Sequence, residues 1–291
     1  MYPVLFRVFS FPIHSYGFML ALSFLTGIWF SSIRAKKRGL NPEVIADMGF
    51  WIILSAIMGS RLYYVILHFE EFKGNLISIF NPFQDGAIGI GGLVMLGGFI
   101  GAIIAGVLYF KLKKLKFLPY ADAVAPSVGF GIMLTRIGCF LNGCCYGAPY
   151  TGSCAIHFPH ESPAGYYQEY MHTSSLFPSQ LLESAGGLII ALIVLYVGSR
   201  KNIFTGLQFY LVGLFYAVLR FFVDYTRFYS DGERLAGLSH NQVICIILFV
   251  IFAGLILKNF LFKESPVKSS DNIIPDNSSD EPEKSTVLDQ K

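Results

Sequence analysis

The chain has 291 residues, of which 54% are hydrophobic and only 14% charged. With a mean hydropathy of +0.55, it is excluded from the range of ordinary soluble domains and placed in a bilayer. The formal net charge is +3, and because seven acidic residues and three lysines lie beyond residue 263, the remainder carries +7; that excess suits membrane topology and contact with anionic lipid, and no nucleic-acid partner is expected.

Spanning hydrocarbon takes about 20 mostly apolar residues as a helix. Stretches near 15–33, 46–67, 87–110, 121–142, 179–199, 205–224 and 241–262 qualify. The predicted fold is all-α, a multi-pass membrane protein with about seven transmembrane helices around a lipid-accessible cavity. In the third stretch Gly91, Gly92, Gly97, Gly98 and Gly101 form small faces that let helices approach closely in lipid. The fourth runs into a polar, glycine-broken motif that a re-entrant segment would also explain.

Lysine and arginine alternate between loops. Arg34, Lys36, Lys37 and Arg38 follow the first stretch, Lys111, Lys113, Lys114 and Lys116 the third, and Arg200 and Lys201 the fifth. Between Gly143 and Phe177 there is no lysine or arginine, and the other intervening loops offer only Lys73, Arg227 and Arg234. Short basic loops stay cytoplasmic, so the N-terminus is expected outside and the C-terminus inside. The expected organisation is a membrane-embedded unit over 1–263 and a disordered cytoplasmic tail over 264–291, rich in Ser, Asp, Glu, Pro and Asn. No cleavable signal peptide is expected.

Three arginines, Arg61, Arg136 and Arg220, fall inside apolar stretches. A guanidinium at membrane depth costs about 3 kcal/mol on insertion scales, so such residues face a cavity or a partner. Their planar, permanently charged fork grips phosphate, which predicts a cavity for a phospholipid headgroup. Arg61 has a structural alternative, as a partner for Asp122 or Glu183. Arg136 opens the densest motif, which runs through Gly138, Cys139, Asn142, Gly143, Cys144 and Cys145 to Gly147; an arginine, an amide and glycines suit close backbone approach to a polar ligand. Arg220, Asp224 and Arg227, at i, i+4 and i+7, share one helix face, where the carboxylate can aim the two cations. His14 and Tyr16 stand at the start of the first stretch, where a tyrosine also serves as an interfacial anchor.

Of five cysteines, four lie between Cys139 and Cys154. They contain no CxxC pair and two are adjacent, which suits a tetrahedral site poorly, so no metal and no cofactor are expected. A disulfide or plain buried thiols fit better, with the pairing left open.

From His14 to Gln242 these residues resemble one family, the bacterial prolipoprotein diacylglyceryl transferases. The landmarks recur in order: His14 to Gly17; Gly59 to Arg61; Gly91, Gly92, Gly97, Gly98 and Gly101; Asp122 to Pro126; Arg136 to Gly147; Pro178 to Gln180 with Glu183; Arg220, Asp224 and Arg227; and Gln242. The resemblance implies a multi-pass enzyme of the bacterial inner membrane with its N-terminus outside. It would move the diacylglyceryl group of phosphatidylglycerol onto the lipobox cysteine of preprolipoprotein signal peptides, releasing glycerol phosphate. Tyr16, Arg136, Asn142 and Arg220 are the implied catalytic residues; Arg136, Arg220, Gly147, Asp224, Arg227 and His14 are the implied substrate-binding ones. The alternatives are a related phospholipid-dependent transferase with another acceptor, or a non-catalytic lipid- or peptide-binding membrane protein.

The chain departs from the family's pattern in three places. Leu96 replaces a usual histidine before the second glycine pair, Cys139 and Cys144 stand where an asparagine and an acidic residue are usual, and Phe177 replaces a histidine before Pro178. Histidine is the natural acceptor for a thiol proton near neutral pH. With Leu96, that proton is left to His14, Tyr16 or water, or to ionisation of the thiol by the cavity's positive potential.

Overall fold

A computed structural model of the chain describes residues 2–8, 11–72, 83–84, 87–88, 94–200, 203–227, 234–235 and 237–261. Strands β1 (Val4–Val8) and β2 (Phe11–His14) pair as an antiparallel hairpin and lead into helix α1 (Ser15–Lys37). The long helix α2 (Glu43–Leu67) and a single turn, α3 (Phe69–Phe72), follow. The two-residue strands β3 (Phe83–Gln84) and β4 (Ala87–Ile88) pair before α4 (Met95–Leu112). Then come α5 (Phe117–Asn142), the short α6 (Pro163–Tyr170), α7 (Ser179–Gly198) and α8 (Leu207–Asp224). A small pairing of β5 (Arg234–Leu235) with β6 (Leu238–Ser239) precedes α9 (His240–Leu261).

Six of these helices are long and apolar enough to cross a membrane, and the third expected span is shorter. It begins at Met95 rather than near 87, because 87–88 belong to β4. Gly91 and Gly92 lie outside the described residues, as does the proposed tail. The fourth span is no re-entrant loop: α5 is continuous to Asn142, with Pro126 inside it. Side chains such as Trp29, Phe50, Ile104, Leu192, Phe222 and Val250 are exposed on the helix surfaces. In water that arrangement would be untenable; in lipid it is the solvated state.

Helix α5 is the central post, packed against α1, α7 and α8, while α9 covers α8. Helix α4 packs against α2 through its glycines: a Cβ on Gly97 would strike the carbonyl of Gly59, and one on Gly101 that of Ser55. This backbone contact is how small residues hold helices together where the hydrophobic effect is absent. The α2–α4 pair joins the rest along α1 and through an aromatic cluster at one end, where the Phe110 ring lies 5.2 Å from Phe117 and 5.8 Å from Tyr120. Beyond that cluster, α4 stands apart from α5 and α8.

The bundle has two polar ends. At the lysine-rich end, Asp122 accepts hydrogen bonds from the backbone N–H groups of Gly206 (2.7 Å) and Phe209 (3.0 Å), capping α8 from a neighbouring helix. Arg38 approaches the same carboxylate at 3.9 Å, and Arg34 donates to the buried Gln208 at 2.6 Å. The opposite end holds the candidate site.

Candidate functional site

Four helix ends converge here: the start of α1, the end of α5, the start of α7 and the end of α8. Their focus is Glu183, fully buried in the second turn of α7. Arg136 donates to its Oε1 at 2.8 Å, while Arg220 and Arg227 approach Oε2, each at 3.6 Å. Arg220 also pairs with Asp224 at 3.4 Å, one helical turn on. Arg227 lies past the end of α8, and its guanidinium turns to Glu183. Three cations thus share two carboxylates, leaving one positive charge in excess. Arg227 Nε is buried without a hydrogen-bond acceptor among the described residues, and Arg220 Nη1 faces Glu183 Oε2 only at the ion-pair distance of 3.6 Å. Buried donors in that condition favour an acceptor carrying negative charge.

Asp224 is held from behind. Ser239 donates to Asp224 Oδ2, and Asn241 reaches Oδ1 at 3.5 Å. Ser239 also belongs to a reciprocal cap on α9: its N–H donates to Gln242 Oε1 at 3.0 Å, and its hydroxyl accepts from the Gln242 N–H at 3.1 Å. Gln242, the last landmark of the sequence, therefore acts through Ser239 on Asp224 and so on Arg220. The start of α7 is fixed by Ser179, 2.6 Å from the Thr226 hydroxyl, and by Gln180, which donates to the Cys144 carbonyl at 2.8 Å.

The motif that closes α5 turns sharply. Gly143 is its left-handed C-cap (φ 71°), and Cys145 is also left-handed (φ 58°). Asn142 is the last helical residue, with its side chain near the Cys144 thiol. Gly147 presses against Phe177 and Thr226: its N–H donates to the Phe177 carbonyl at 2.9 Å, and a Cβ there would lie 2.6 Å from that oxygen. The position of Gly147 thus supports a packing role beside the cations. Tyr16 sits at the rim, partly exposed, with Arg136, Cys139, Cys144 and Cys145 as its electrostatic neighbours. His14 is exposed at the end of β2 and makes no side-chain cap bond to α1.

The described cysteines are all free thiols. The Sγ atoms of Cys139, Cys144 and Cys145 lie within 4.8 Å of one another. The Cys144 thiol donates to the Cys139 carbonyl at 3.7 Å; the proximity of the Cys139 and then the Cys144 thiol, with the positive charges of Arg136 and Arg227, lowers the pKa of the Cys145 thiol.

One expectation resolves differently. The carboxylates considered for Arg61 are taken by other cations; the buried Arg61 guanidinium lies over the Tyr64 and Phe72 rings, 5.5 Å from each centroid. Leu96 is exposed near the start of α4. Two site members were given no site role from sequence, where Glu183 entered only as a landmark and as a possible partner of Arg61. Glu183 carries the same signal as the arginines, an ionisable residue inside an apolar stretch. Tyr216, one turn before Arg220 on the same face of α8, has Glu183, Arg136 and Arg220 as its electrostatic neighbours.

Tyr216 also lines an apolar cavity of about 990 Å³, bounded by α4 (Phe99, Ile103), α5 (Val128, Ile132) and α8 (Val212), which reaches Lys111 and Lys114 at the lysine-rich end.

The fold and site together define a class: a polytopic membrane protein whose arginines are gathered round a buried carboxylate beside an apolar chamber. Within it, the chain belongs to the prolipoprotein diacylglyceryl transferase family, matching the family over residues 3–258. It is similar to proteins named phosphatidylglycerol–prolipoprotein diacylglyceryl transferase. One from Clostridium botulinum strain 657 is 33% identical over 89% of this chain and the whole of its own; one from Clostridium tetani strain Massachusetts is 35% identical over 89% of this chain and 97% of its own. A protein from Clostridium perfringens strain 13 with the same name and the suffix 2 is 31% identical over 88% of this chain and 94% of its own.

Proposed function

We propose that the protein transfers the diacylglyceryl group of phosphatidylglycerol to the lipobox cysteine thiol of preprolipoprotein signal peptides, in the bacterial inner membrane with the arginine end facing outward. The observation that carries this reading is the convergence of Arg136, Arg220 and Arg227 on Glu183, with a buried donor of Arg227 left for another acceptor. A phosphodiester supplies that acceptor. The acyl chains enter the apolar cavity below, at Tyr216 and Ile132.

The chemistry is displacement at carbon. The thiol sulfur attacks the glyceryl carbon that bears the phosphate ester, and the carbon–oxygen bond breaks with its electrons on oxygen. Glycerol phosphate leaves carrying one more negative charge. The preorganised guanidiniums favour that developing charge in a site shielded from water, where such stabilisation is strongest. Asp224 and Glu183 hold the arginines so that little reorganisation accompanies reaction. Tyr16 and Asn142 stand on the side where the thiol must approach, and holding the two reactants there contributes by proximity.

The test is to incubate the purified protein with phosphatidylglycerol and a lipobox peptide and to follow the peptide mass. A diacylglyceryl gain that disappears in Arg136→Ala supports the reading; no gain with folded wild-type protein overturns it.

A further inference from the structure

We propose that Cys139, Cys144 and Cys145 form a three-thiolate site for a soft divalent metal ion, zinc being the natural occupant, with its fourth position open to the lipobox thiol. This extends the transferase reading by assigning the step that activates the thiol.

Zinc binds thiolate sulfur at about 2.3 Å in a tetrahedron, which places its sulfurs about 3.8 Å apart. The three Sγ atoms already lie within 4.8 Å of one another, so small side-chain rotations close the set. Adjacent cysteines would ordinarily project to opposite sides of an extended chain. Here Cys145 adopts φ 58°, a left-handed conformation unfavourable for a residue with a side chain, and its thiol lies close to its neighbour's. The turn is anchored on several sides: the Cys144 N–H donates to the Cys139 carbonyl (3.0 Å), Gln180 donates to the Cys144 carbonyl (2.8 Å), and the Ala164 N–H donates to the Gly143 carbonyl (2.9 Å).

The surroundings match what a thiolate site requires. Arg136 Nη1 donates to the Cys139 sulfur at 3.7 Å. Such outer contacts orient and tune ligating sulfurs. Three thiolates around a divalent ion carry one net negative charge, which Arg136 offsets. A disulfide would use two of the thiols and leave the third over; a metal uses all three. Cys139 is buried while Cys144 and Cys145 are half-buried beside Tyr16, so the free coordination position faces the rim rather than the core.

When the lipobox thiol binds there, its proton passes to water as the sulfur–metal bond forms. The bound thiolate then displaces glycerol phosphate from the glyceryl carbon, and the resulting thioether, a weaker ligand, leaves. No atom changes oxidation state, and no side-chain base is needed.

The experiment uses the untagged full chain, purified with a non-chelating reductant. Elemental analysis is expected to find zinc bound in stoichiometric amount, and reconstitution with cobalt(II) to give a sulfur-to-cobalt charge-transfer band. Both are lost in Cys144→Ser and Cys145→Ser and kept in Cys245→Ser, with gel filtration confirming that each variant is folded. A lipobox peptide shifts the cobalt spectrum, and the same peptide with serine for cysteine does not. Absence of metal from the reduced protein, or a disulfide among the three cysteines that persists in it, overturns the site; metal binding without a peptide-induced shift overturns its role in thiol activation. Metal content is read independently of lipid transfer, so a protein that transfers lipid without metal refutes this inference alone, and one that binds metal but transfers nothing refutes the transferase reading alone.

Discussion

Glu183 is an acid placed among three bases in a medium that tolerates neither alone. Removing one partner of a buried pair typically costs about 3–5 kcal/mol, because the remaining charge stays desolvated. Glu183→Gln keeps the shape and removes the charge, so its thermal midpoint in detergent should fall sharply and its transfer activity should be lost with it. Unchanged stability would show that the arginines are held by something else. At this scale the sequence was informative about cations and silent about convergence. An arginine inside an apolar stretch declares itself, and the same logic applies to Glu183; but that three guanidiniums from the end of α5 and the end of α8 meet on one side chain of α7 is a property of packing. The cysteines show the limit most clearly. Their spacing argued against a common ligand, and only the left-handed turn at Cys145, which no glycine announces, brings the three sulfurs together.

Among the elements, α9 has the clearest indirect hold on the site, through the cap formed by Ser239 and Gln242. Losing an N-cap side chain costs about 1 kcal/mol, and Ser239→Ala also removes the hydroxyl that Asp224 accepts from. Its thermal midpoint should therefore fall further than that of Gln242→Ala, and its KM for phospholipid should rise as Arg220 loses its brace; equal effects of the two variants would reduce the contact with Asp224 to packing. The spans were legible because twenty apolar residues in lipid have few alternatives to a helix. The start of the third was not. Apolar composition continues back to residue 87, yet glycines are dense there and disfavour helix, and the chain pairs β3 with β4 before α4 begins. The continuity of α5 was equally hidden, since a proline and several glycines inside an apolar segment fit a broken helix as well as an intact one.

For the whole molecule, the alternation of basic loops makes a prediction about sidedness. Cysteines introduced at Lys114 and at Tyr150, in an otherwise cysteine-free chain, should react with a membrane-impermeant maleimide from opposite sides of intact cells, with Tyr150→Cys labelled from outside; labelling of both from one side would reverse the expected topology.

The space between α4 and its neighbours has a further implication. Helices α2 and α4 are locked to each other backbone to backbone, yet they meet α5 and α8 only beyond an apolar chamber closed at one end by Phe110, Phe117 and Tyr120. Hydrocarbon in that chamber acts as a keystone: it supplies the mutual contact that the flanking helices do not make. A ligand held by the native state alone raises its melting temperature in proportion to the logarithm of its concentration. Long-chain phosphatidylglycerol should therefore toughen the detergent-solubilised protein against heat well beyond a dihexanoyl lipid with the same headgroup, and parity between the two would mean that the arch stands without its filling.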